Sequence, residues 1–64
     1  MQMELELVNI WDESFSKSSE ISDLLRFVVG GRPNVGDSEK LQSLLDDYNR
    51  SIKKAIDILK DHGL

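Results

Sequence analysis

The sequence predicts an all-α fold: an antiparallel helical hairpin whose two long arms meet at a loop carrying glycine and proline. Three observations carry that expectation. Leu41, Leu45, Tyr48, Ile52, Ala55, Leu59 and His62 recur at alternating steps of four and three residues. That is the beat of a helical seam, where a strand would alternate. The stretch "GGRPNVG", Gly30 to Gly36, holds three of the four glycines and the only proline, which marks the end of one element and the start of another. Finally, Ile21, Leu24, Leu25, Val28 and Val29 run up to those glycines at helical spacing.

At the start of the chain, Met1, Met3, Leu5 and Leu7 alternate with Gln2, Glu4 and Glu6, a strand pattern. Met3, Leu7 and Ile10 fit a helix equally, and Met, Gln, Glu and Leu are strong helix formers. A lone strand finds no mate within this chain, so a short helix is the first expectation there and a strand the alternative. Leu7, Trp11, Ser14 and Ser18 then carry a seven-residue rhythm towards Ile21. One reading is a single first arm over residues 5–29. The other breaks it between Asp12 and Ser19, where "SFSKSS" has middling helix propensity.

Residues 30–37 form the expected loop, with Gly30 able to close a helix in the left-handed conformation and Pro33 unable to continue one. The second helix is expected over 38–62. Asp37 or Ser38 suits its N-cap, Glu39 the positive end of its dipole, and Gly63 the position past its last turn. Asp46 and Arg50 have the spacing of a helical ion pair. Glu39, Lys40, Asp46, Asp47, Arg50, Lys53, Lys54, Asp57, Lys60 and Asp61 fall away from the seam, while Leu44, Ile56 and Ile58 widen it.

A chain of 64 residues makes one domain with a thin core. Without cysteine it has no disulfide to staple it, and a single histidine offers too few ligands for most zinc sites. Oligomerisation is the remaining support. A net charge of −4 opposes nucleic-acid binding. No apolar run is long enough for a membrane helix, and "MQMELELVNI" lacks a basic leader, so a cytoplasmic protein is expected.

The second arm is greasier than one facing helix can cover. The expected remedy is a homodimer, two hairpins packed into a four-helix bundle; a monomer with residues 1–20 folded back is the alternative, and a different protein partner a third. The expected interface is Leu44, Leu45, Tyr48, Ile52, Ile56, Ile58 and Leu59, joined by Trp11 and Phe27. Trp11 and Phe15 share a helical face, and their first reading is core.

Chemistry finds little footing. Serines 14, 16, 18, 19 and 22 have no histidine to form a triad, and the glycine loop lacks the phosphate-cradle pattern. Asp46, Asp47 and Asn49 set acids and an amide on one helix. "SEKLQSLLDDY", Ser38 to Tyr48, resembles the S-Q-E-L-D motif helix of the small two-helix aspartyl-phosphate phosphatases of spore-formers, keeping Ser38, Leu41 and a tyrosine. It departs where Glu39 replaces the motif's glutamine, Lys40 its glutamate and Gln42 its aspartate. The expectation is therefore a non-enzymatic helical protein without cofactor or metal, acting through protein contacts as adaptor, co-chaperone or inhibitor. A phosphatase-like regulator of response regulators is the alternative, and a helical-hairpin nucleic-acid binder a further one.

Overall fold

The computed structural model describes residues 2–64 and consists of two helices, α1 (Gln2–Val29) and α2 (Asp37–Asp61), packed antiparallel as a hairpin. Its extents are 46 × 16 × 13 Å. The chain is all-α and its start is helical; Met1, part of the alternating pattern, lies outside the described residues.

α1 runs unbroken for 28 residues. Its serine-rich middle does not interrupt it; the Ser14 hydroxyl donates to the Trp11 carbonyl at 3.0 Å, within the helix's own turn. Flanking apolar residues then hold both sides of that stretch against α2.

Both helices close in the same way. At the end of α1, the Arg32 amide donates to the Phe27 carbonyl at 3.0 Å and the Gly31 amide to Val28 at 3.2 Å. At the end of α2, Leu64 donates to Leu59 at 2.9 Å and Gly63 to Lys60 at 3.0 Å. These paired bonds satisfy carbonyls that lack a partner in the following turn. The geometry needs a left-handed residue, and Gly31 (φ 83°) and Gly63 (φ 76°) supply it. The left-handed position expected at Gly30 is therefore one residue later.

The start of α2 also differs from the expectation. Gly36, at φ 93°, occupies the cap, and no side chain caps the first turn. The Asp37 carboxylate instead accepts the Asn34 backbone amide at 2.7 Å and so ties the loop together. Arg50 pairs with Asp47 at 3.3 Å, not with Asp46, whose carboxylate accepts from Gln42 Nε2 at 2.9 Å.

The seam of α2 keeps Leu41, Tyr48 and Ala55 of the one read in the sequence but differs at the positions between them. The facing positions of α2 are Leu41, Leu44, Tyr48, Ser51, Ala55 and Ile58, with Asp47, Ile52 and Leu59 part-covered beside them; the covered positions of α1 are Met3, Leu7, Ile10, Ser14, Lys17, Ile21 and Leu24. Leu44 and Ile58 thus belong to the seam, where they had been placed on its shoulders, and Leu45 lies outside it. The cause is Ser51, one of two buried residues among those described, at 7% exposure. A polar residue at a facing position is invisible to a search for apolar periodicity, and Ile52 beside it captured the beat.

Two substitutions test this architecture. Gly31→Ala forces a Cβ into the left-handed region and is expected to cost about 1 kcal/mol in a urea melt. Ile10 is the one buried apolar residue among those described, at 8% exposure. Ile10→Ala is expected to cost about 2 kcal/mol, and a midpoint unchanged by it would contradict the seam assigned here.

Candidate interaction face

The seam is stratified. Met3, Leu7 and Ile10 lie at the heights of Ala55 and Ile58, and Ile21 and Leu24 at those of Leu41 and Leu44. Between these apolar ends sits a polar waist. Ser51 Oγ donates to Glu13 Oε2 at 3.3 Å across the helices, and Lys17 Nζ lies 3.7 Å from Asp47 Oδ2 and 3.6 Å from Glu20 Oε2. Such half-exposed pairs contribute little net stability. The waist therefore fixes the alignment of the helices more than it strengthens their contact.

On either side of the seam the hairpin is unlike. One residue is about 100° of helix rotation. Because the helices run in opposite directions, a step towards the N-terminus turns both of them to the same side. On that side, Glu13, Ser16, Asp47, Arg50 and Lys54 line one shallow cleft, Glu6, Asn9, Lys54 and Asp57 a second, and Glu20, Phe27 and Lys40 a third. This is a solvated, mixed-charge side, and its ion pairs account for most of those described.

A step towards the C-terminus turns to the opposite side, and the residues there are apolar. From α1 come Val8, Trp11, Phe15, Leu25 and Val29, preceded by Glu4 and interrupted by Ser18 and Ser22; from α2 come Leu45, Ile52, Ile56 and Leu59, interrupted by Gln42 and Asn49. Trp11 and Phe15 are each 70% exposed, Ile56 46% and Leu45 42%. Ile52 and Leu59 are half-buried. The core reading of Trp11 and Phe15 is thus overturned: their line points past α2, and no third layer covers it.

The residues expected at an interface divide three ways. Trp11, Leu45, Ile52, Ile56 and Leu59 share this apolar side. Leu44, Tyr48 and Ile58 are in the seam, part-covered by α1. Phe27 is exposed on the charged side, apart from the rest. Val8, Phe15, Leu25 and Val29 were missing from that set. The signal that finds them is a second heptad line in α1, one residue after the seam line, visible once two serines are allowed within it.

Among the other candidates, Asp46 is occupied by Gln42, and Asn49 sits on the apolar side rather than beside it in a cleft. His62 is exposed at the C-cap of α2, and the described residues contain no group of three or more His, Asp or Glu placed to hold a metal. No helix among them is long and apolar enough to cross a membrane. No protein-family model matches the chain, and neither does any curated protein or solved structure.

If the waist serves alignment, removing its charge should not weaken the hairpin. Lys17→Leu exchanges a weak pair for apolar cover beside Ile21 and is expected to raise stability by about 1 kcal/mol. A lower denaturation midpoint would mean that the Asp47 pair matters more than its exposure suggests.

Proposed function

We propose that the protein works through protein–protein contact rather than catalysis, as a homodimer whose subunits meet on the side bearing Trp11 and Ile56 and complete a four-helix bundle. It would serve as a small adaptor or inhibitory module, with the charged side and the loop left free for a further partner.

The area of the single chain carries the reading. It exposes 5182 Å². A compact monomer of 7.3 kDa would expose about 4,200 Å² by the usual scaling of surface with mass. The excess, about 1,000 Å², is what each partner buries in a stable protein–protein interface, about 800 Å². Trp11 and Phe15 stay 70% exposed and Val8, Leu25, Leu45 and Ile56 over 40% in the isolated hairpin, and closed two-fold pairs are the commonest solution to that problem.

Light scattering should give twice the 7.3 kDa of one chain. The double variant Trp11→Asp, Ile56→Asp should run as a single chain while keeping its helical circular dichroism. Trp11, the sole tryptophan, gives an independent readout: its emission should move to shorter wavelength as protein concentration rises through the association range. A single-chain mass at high micromolar concentration, with no shift in emission, would overturn the homodimer.

A further inference from the structure

Phe27 is the one aromatic side chain that neither the seam nor the apolar side accounts for. Trp11 and Phe15 lie on the apolar side and Tyr48 is part-covered in the seam. Phe27 instead keeps half of its surface open at the loop end of the charged side. There it edges a cleft of about 200 Å³ lined also by Leu24, Leu44, Glu20, Asp23 and Lys40. Leu24 and Leu44 belong to the seam and form the apolar floor. The space suits one side chain rather than a free small molecule, whose pockets run to about 300–1,000 Å³. An open aromatic ring above aliphatic carbon is the setting in which a partner's side chain becomes an interface anchor.

The charges round this cleft differ in how far they are committed. Glu20 lies 3.6 Å from Lys17, and Asp23 accepts from Arg26 at 2.8 Å. The Asp37 carboxylate is taken by the Asn34 amide. Among the described residues, Arg32 and Lys40 have no ion-pair partner. Glu39, an acid nearby, stands about 100° round α2 from Lys40 and so away from the cleft. The wider field agrees. Residues 23–44 carry three acids and three bases, so the whole net charge of −4 lies towards the open end, away from the loop. An acidic segment is repelled along that part of the hairpin and meets two uncommitted cations at the loop end.

We infer that the cleft receives an acidic segment of a different protein. One apolar side chain of that segment sits among Leu24, Phe27 and Leu44, and a neighbouring carboxylate pairs with Lys40. This step rests on the contact function proposed above and supplies the chemistry of the further partner. The cleft lies off the side where the second copy packs, so a homodimer presents two of them.

Three synthetic peptides test this, each with a central leucine flanked on both sides by aspartates, by lysines or by serines. Titrated against the full chain, the aspartate peptide should move the amide resonances of Leu24, Phe27, Lys40 and Leu44 and leave those of Trp11 and Ile56 in place. Phe27→Ser should weaken its binding several-fold with helical circular dichroism retained. Lys40→Glu places an acid near the start of α2, where the dipole tolerates it, and should reverse the preference in favour of the lysine peptide. Equal or tighter binding of the lysine or serine peptide to the unaltered chain would overturn the inference. So would resonance changes confined to the apolar side, or no response to the aspartate peptide at millimolar concentration. Light scattering on the same samples separates the two readings. A single-chain mass with a responsive cleft removes only the homodimer, and a dimeric mass with a silent cleft removes only the acidic partner.

Discussion

Two helices have one seam between them, and every other feature of this protein follows from that limit. A helix can offer a facing line and one flank to a single neighbour, yet here both helices carry two adjacent apolar lines. Antiparallel packing uses the first line of each. Because right-handed helices running in opposite directions turn the same way round the hairpin, their second lines emerge together on one side. What would be scattered greasy residues on unrelated surfaces becomes a single face. The contact between α1 and α2 therefore does more than hold the hairpin: it assembles the surface on which the proposed function depends.

The charges act on the opposite side. Glu13, Glu20, Asp47, Arg50 and Lys54 bring both signs into a strip where the helices can exchange ion pairs. Such pairs add little energy at the surface, but a strip so well hydrated has little to gain by being covered. The proposed association is thereby favoured on the apolar side, with no need for shape to exclude the other. The acidic net charge works in the same direction, since it opposes piling of copies beyond a closed pair.

How much of this could be read beforehand depended on which residues marked each line. The hairpin was legible because the loop concentrates glycine and proline and because α2 is strongly amphipathic. Leu41, Tyr48 and Ala55 were placed in the seam correctly, but Leu45, Ile52 and Leu59 stood one residue beyond the facing positions, since Ser51 and Lys17 occupy places that an apolar search passes over. Trp11 and Phe15 were drawn to the core by their size, although their heptad line lies one residue beyond the line that faces α2. Such distinctions turn on a rotation of about 100°, and within one helix the sequence cannot say which of two adjacent lines a neighbour will choose. The loop details, from the Asp37 carboxylate binding Asn34 to the left-handed Gly31, depend on how the turn closes, which no spacing rule records.

The polar waist explains why the helices settle in this register when apolar lines alone would permit sliding. A shift of one heptad preserves most matches between leucine and isoleucine along the seam, so hydrophobic burial discriminates weakly between registers. The ion pair discriminates better. In the observed alignment Lys17 sits beside Asp47. Moved seven residues in one direction, it comes level with Lys54; moved seven in the other, with Lys40. Both alternatives exchange attraction for repulsion, and both take Ser51 away from Glu13, leaving a hydroxyl at a covered position without its bond. A contact that adds little to stability can still exclude the competing registers, because specificity is set by the difference between alignments rather than by the strength of any one pair. With the register held, the tryptophan and isoleucine of the open end stay at one height, and that is the condition under which two separate stripes present themselves as one surface.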